Sequence, residues 1–141
     1  MMLKPMILTG LLLVAAPTLA DEALPAGLLA GPNKQDLPEI VLSVGEPLGD
    51  PWRLKSGSYY EVEITSDGSG EIALAGPGFF RAIWIDEIVI EGLEIRPLGL
   101  DSLEFDEAGT MEIGFVAIRP GSYELAVPNG GDSQRLQIVI E

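Results

Sequence analysis

The side chains that most often carry catalysis are missing from this chain: 141 residues include no histidine and no cysteine. Without an imidazole or a thiol, neither a serine-based nor a cysteine-based nucleophile pair can be assembled. Carboxylates remain, and a pair of them can do acid–base chemistry. The candidates are Asp86-Glu87 and the run Asp101, Glu104, Asp106 and Glu107. Strand alternation puts Glu104 and Asp106 on a solvent face, where solvated charge is the ordinary explanation, so no enzyme activity and no cofactor are expected. Asp67-Gly68-Ser69-Gly70-Glu71 sets oxygens at alternate positions, as a calcium loop does. It lacks the closing bidentate acid at the right distance, and a Gly-rich hairpin turn also accounts for it; the same holds for Asp101 to Glu107. Phe79, Phe80, Arg81 and Trp84, followed by Asp86 and Glu87, have the makeup of a protein-contact hot spot, which is also the makeup of a core. These six are the candidate partner contacts. No catalytic, cofactor or metal residue is assigned.

The charge balance narrows the partner. There are 22 Asp and Glu against 8 Lys and Arg, a net charge of −14. Nucleic acid and anionic membranes need the opposite sign. A basic protein or dissolved cations suit it better, although acidity also serves plain solubility.

The elements that must position these residues follow from the pattern along the chain. Residues 1–20 have the order of a secretory signal: Lys4, an apolar run from Met6 to Ala16, and a small-residue exit at Thr18-Leu19-Ala20. The run is about half the roughly 20 residues needed to span a bilayer, which favours a cleaved signal over a retained anchor. The expectation is an exported, periplasmic or secreted, soluble chain of roughly 120 residues, one domain in size. With no cysteine, no disulfide holds it, so packing and the sheet ladder must. Residues 21–38, with Pro25, Pro32 and Pro38, read as an extended arm or linker, on which Leu28 and Leu29 could pack against the domain.

From Glu39 to the end, short apolar segments alternate with Gly, Pro, Asn and Asp at intervals of roughly ten residues, the rhythm of an antiparallel sandwich or barrel. Tyr60, Val62 and Ile64 share one face, opposite Tyr59, Glu61, Glu63 and Thr65. Leu103 and Phe105 form a second inward row; Met111, Ile113, Phe115 and Ala117 a third. Tyr123, Leu125 and Val127, then Leu136, Ile138 and Ile140, complete the set. Pro77-Gly78, Arg119-Pro120-Gly121-Ser122 and Pro128-Asn129-Gly130-Gly131-Asp132 read as loops. In Phe80 to Ile90, Phe80, Ile83, Trp84 and Ile88 fit a helical stripe, while Ile83/Ile85 and Ile88/Ile90 fit two strands whose parity flips across Asp86-Glu87; the density of β-branched residues favours strand, with a bulge or turn there.

The segment Ser102 to Pro128, above all Pro120-Gly121-Ser122-Tyr123-Glu124-Leu125, resembles the second half of a cupredoxin domain, and Leu54 to Thr65 resembles that family's Lys-x-Gly strand opening. The resemblance implies an all-β, Greek-key β-sandwich of about seven or eight strands. It also implies a copper ligand set that this chain cannot supply. Where the family places its cysteine, this chain has Val127, and Pro128 to Ser133 stand where its His and Met follow. A blue-copper centre needs thiolate and imidazole, so an electron-transfer cupredoxin is disfavoured. What remains is a binding or accessory module that docks a protein through its acidic surface. By that resemblance, a basic cytochrome or periplasmic metalloenzyme is the first partner to consider. Calcium or small-ligand binding is the alternative.

Overall fold

The computed structural model describes residues 27–141; the signal reading of 1–20 and the start of the arm lie outside the described residues. In chain order the strands are β1 (Lys34–Asp36), β2 (Ile40–Leu42), β3 (Trp52–Leu54), β4 (Tyr59–Ser66) and β5 (Ile72–Ala75). One helical turn, α1 (Pro77–Phe80), precedes β6 (Ile83–Ile90), β7 (Leu93–Ile95), β8 (Ser102–Phe105), β9 (Gly109–Ala117), β10 (Gly121–Ala126) and β11 (Arg135–Ile140). Two sheets stack. One runs β1-β4-β9-β6-β7 with β2 also on β4; the other runs β3-β11-β10-β5-β8.

The inward rows read from the sequence are the core. Tyr60, Val62, Ile64, Met111, Ile113 and Phe115 are buried from the first sheet, and Leu125, Leu136, Ile138 and Ile140 from the second. The eight-residue register of β4 on β9, Tyr59↔Val116 to Ser66↔Gly109, keeps those rows opposed. A one-residue slip would place Glu61 and Glu63 in the core, which is why the register is unique. Trp52 is buried as well, edge-on to Phe79 at 6.4 Å between ring centres.

Three expectations change. The sandwich is not purely antiparallel: β1 and β2 run parallel to β4, and β3 runs parallel to β11. The arm is not wholly a linker, because Lys34–Asp36 pairs with Tyr59–Glu61 and the Leu37 N–H donates to Glu61 O at 2.8 Å. Pro38, which has no N–H, separates β1 from β2 on one edge of β4. Leu28 and Leu29 stay exposed. The third change concerns Pro77-Gly78, which opens the helical turn α1 rather than a loop; Pro77 occupies the first helical positions, where its missing N–H costs nothing.

The Pro120-Gly121-Ser122-Tyr123 segment forms a corner between β9 and β10. The Tyr123 hydroxyl donates to Arg119 O at 2.9 Å, tying the end of the β9–β10 connection to the following strand. Gly121 sits at φ +153°, and a Cβ there would lie 2.9 Å from the Tyr123 oxygen, so the corner requires glycine.

Candidate functional site

The outward face of the first sheet gathers charged residues that the sequence spreads over distant segments. Partnered residues share a face, so the registers arrange outward side chains in rows across the strands. The first row is Lys34, Tyr59, Val116 and Trp84. The second is Asp36, Glu61, Gly114 and Glu87, and the third is Glu63, Glu112, Val89 and Glu94. Five strands thereby bring carboxylates onto one pleated surface.

Of the bulge or turn expected at Asp86-Glu87, the structure has a bulge: the β6 register shifts between Ile85 and Glu87. The extra residue is Asp86. A bulge breaks the alternation, and both Asp86 and Glu87 reach the same cation: Arg96 Nη1 is 3.3 Å from Asp86 Oδ1, and Nη2 is 3.2 Å from Glu87 Oε2 and 3.0 Å from Glu94 Oε2. Arg96 is 60% exposed while Asp86 is only 14% exposed, so the guanidinium lies over the carboxylate from the solvent side. The Tyr59 hydroxyl donates to Asp86 Oδ2 at 3.2 Å. Burial, reinforced by the Asp86 charge and this hydrogen bond, pushes the Tyr59 phenol up to about 12. Gly114 makes the arrangement possible: a Cβ there would sit 2.9 Å from the Tyr59 oxygen, so the ring crosses β9 over a position without a side chain.

Beside this hub, Lys34 Nζ donates to Glu61 Oε1 at 2.6 Å, which raises the Lys34 pKa and leaves Glu112 next to an already engaged carboxylate. Burial first, then the Glu61 charge, hold the Glu112 carboxyl above its ordinary 4.5. A carboxylate whose folded pKa is raised contributes stability that is fully present below the unfolded value and is lost as pH rises through the folded value. Glu112→Gln is therefore expected to raise stability at pH 7 by a few tenths of a kcal/mol, small because the site is open to solvent screening. Melting curves at pH 4 and pH 7 check it: the gain belongs to the higher pH and vanishes at the lower.

The structure separates the six contact candidates. Phe79 and Phe80 are buried, at 2% and 4% exposure, because α1 turns both rings inward. They belong to the core, where Phe79 meets Phe115 edge-on at 5.6 Å, and they drop out of any contact surface. Trp84 goes the other way: it lies on the outward row of β6 and is 50% exposed. Asp86 and Glu87 adjoin it on the same face, and Arg81 is exposed at the end of α1. Arg96, Lys34, Glu112 and Gly114 were not singled out from sequence. Strand parity does point to Glu61 and Glu63, but nothing local marks Arg96 as the residue that closes the hub.

On the opposite sheet, Glu71, Glu104 and Asp106 bring one carboxylate oxygen each to within 4.8 Å of one another. They come from the two segments that suggested calcium, joined by the Ile72↔Phe105 and Ala73↔Glu104 pairing. All three are exposed.

No family model matches this sequence, and no curated protein matches it. Solved structures do. A multicopper oxidase aligns with a TM-score of 0.51 at 6% identity, over 64% of this chain and 32% of its own. The multi-copper oxidase from Pseudomonas thermotolerans aligns at 0.50 and 17%, over 71% and 24%. The copper nitrite reductase from Nitrosomonas europaea aligns at 0.51 and 13%, over 67% and 33%. The fold is a cupredoxin-like β-sandwich. This cupredoxin-like domain spans about a third or less of the length of those enzymes, and at such identities the likeness is one of fold alone.

The donor set does not fit a type 1 copper ion. Val127, at the place where the resemblance puts a cysteine, is half-buried against the core, and its N–H donates to Gln134 O at 3.0 Å to close the loop that follows β10. The depression beside it is lined by Glu71, Glu104, Asn129 and Gln134, all hard oxygen or amide donors. Soft thiolate and imidazole ligands are what such a centre uses, and the chain contains neither.

Proposed function

We propose that this cupredoxin-like domain is a non-catalytic accessory module of the periplasm that docks a basic protein partner on the outward face of its first sheet. The observation that supports this most is the joining of half-exposed Trp84 to rows of carboxylates from five strands, with Lys34 and Arg96 already engaged within the face. An aromatic anchor beside like-signed charge is the composition of a docking patch for a surface of opposite sign. Basic cytochromes and metalloenzymes are the partners to test first. That choice comes from the copper redox enzymes that share the fold and is an analogy at fold level.

Calorimetry with a basic c-type cytochrome provides the test. Binding is expected at low ionic strength and to weaken about tenfold between roughly 0.02 M and 0.2 M salt. Glu71→Lys on the other sheet is expected to leave it unchanged. Absence of binding at low salt, or affinity independent of salt, would sink the reading.

Calcium binding is the second reading, and the convergence of Glu71, Glu104 and Asp106 favours it. A cation that binds only the folded state raises the melting temperature as its concentration rises. Millimolar calcium should then raise the melting temperature of the native protein but not of Glu104→Gln. Equal shifts in both would reduce the cluster to solvated charge.

A further inference from the structure

At the side of the sandwich away from β3, the two sheets end in strands with a single partner each. Among the described residues, β7 pairs only with β6 and β8 only with β5. Between these edges runs a groove of about 500 Å³. Its apolar surface comes from Ile90, Ile95, Leu100, Leu103, Phe105 and Met111. Ile90 and Ile95 remain 39% exposed, and Leu93 and Leu98 beside them are more exposed still. Glu91, Glu104, Asp106 and Glu107 also line it, and no Lys or Arg occurs anywhere between Pro97 and Ile118. Arg96, just ahead of this stretch in the chain, is engaged by Asp86, Glu87 and Glu94 on the outward face.

The β8 backbone is available as well. The Gly76 N–H donates to Asp101 O, and in an antiparallel ladder alternate residues bond to the partner strand. The peptide groups of Ser102 and Glu104 therefore point away from β5, toward the open edge. A free strand edge beside apolar pockets accepts an extended peptide as an added strand, with main-chain hydrogen bonds supplying affinity and the pockets supplying selectivity.

From this juxtaposition we infer that the β7–β8 groove is a binding site for an extended peptide segment in which apolar residues alternate with Lys or Arg. Alternation places the apolar side chains on one side of the segment, against Leu103 and Phe105, and the cations on the other, toward the acidic rim. Charge decides between occupants. A second copy of this chain, at a net charge of −14, would set the same carboxylates against themselves, whereas a cationic segment neutralises them. This surface is distinct from the Trp84 face and goes beyond the docking function proposed there.

The probe is a capped heptapeptide, Lys-Val-Lys-Ile-Lys-Val-Lys, titrated into the isotopically labelled whole protein and followed by nuclear magnetic resonance. Shifts are expected at Ser102 to Phe105, Ile90 and Ile95, with the amides of Ser102 and Glu104 gaining protection from hydrogen exchange. Glu104→Lys combined with Glu107→Lys should weaken binding about tenfold. Ser102→Pro, at the first residue of an edge strand where proline is tolerated, should also weaken it while the charge stays unchanged. Trp84→Ala should leave peptide affinity as it was, which separates this site from the cytochrome-docking face. Equal binding of the corresponding Glu-Val-Glu-Ile-Glu-Val-Glu peptide would overturn the inference. So would shifts confined to the Trp84 face, or sedimentation showing that the groove is filled by a second copy.

Discussion

Replacing Phe115 by alanine is expected to cost about 3–5 kcal/mol of folding stability, a large effect for a single truncation. Phe115 is 1% exposed in the middle of β9, the strand flanked by β4 on one side and β6 on the other. Its ring lies 5.9 Å from Tyr60 and 5.6 Å from Phe79, so it joins the first sheet to the residues of α1. Truncation removes the apolar burial and leaves a cavity that neither a flanking strand nor the helical turn can easily close, because both are held by their own ladders and hydrogen bonds. Single domains carry about 5–15 kcal/mol in total, and the absence of cysteine means that no disulfide limits the loss. Urea unfolding checks this, with emission from buried Trp52 as the signal. A loss below about 1.5 kcal/mol, the range of a volume-conserving change, would show that β9 is not the centre of the cooperative core.

Trp84→Ala is the second large effect, and it falls on binding. A half-exposed Trp contributes little to the core, so the melting temperature should move only slightly. As the aromatic anchor of a docking face it should carry about 2 kcal/mol of binding free energy, roughly 30-fold in Kd for the basic cytochrome. Trp84→Phe, which keeps an aromatic ring on the same outward row, should recover most of that loss. Raising the salt should weaken both variants in parallel with the native protein, because the Trp84 contribution is separate from the charge contribution. If Trp84→Ala bound the cytochrome within about twofold of the native protein, the docking face would have to lie elsewhere.

Phe79, Phe80 and Trp84 lie within six consecutive residues and look alike in the sequence, yet their exposures are 2%, 4% and 50%. The difference arises from backbone geometry. A single helical turn rotates successive residues by a fixed angle and turns both phenylalanines under the sheet, whereas β6 alternates and leaves Trp84 outside. Hydrophobicity alone carries no sign of which geometry a short aromatic segment will take. The Asp86-Glu87 bulge was legible because the parity of apolar residues reverses across it. Its consequence, a shared arginine, was not, because Arg96 reaches Asp86 and Glu87 only across the β6–β7 hairpin.

The same contrast separates the two acidic clusters. Glu61 and Glu63 could be assigned to an outward face from alternation within β4, while their neighbours Glu112, Glu87 and Glu94 depend on which strands pair and in what register. Glu71 meets Glu104 and Asp106 only because β5 and β8 are adjacent in the second sheet.

The chain began with an exclusion, no histidine and no cysteine, and the sequence by itself determined that much of its chemistry, since a missing donor cannot be supplied by folding. It also determined the inward rows of the sandwich and the Tyr123 corner, because a period of two and a Pro-Gly turn are local properties. Only the tertiary structure decided where the carboxylates gather, which aromatic stays in water, and that two strand edges frame an open apolar groove. Those facts depend on strand order and register, which are set by packing between segments far apart in the chain.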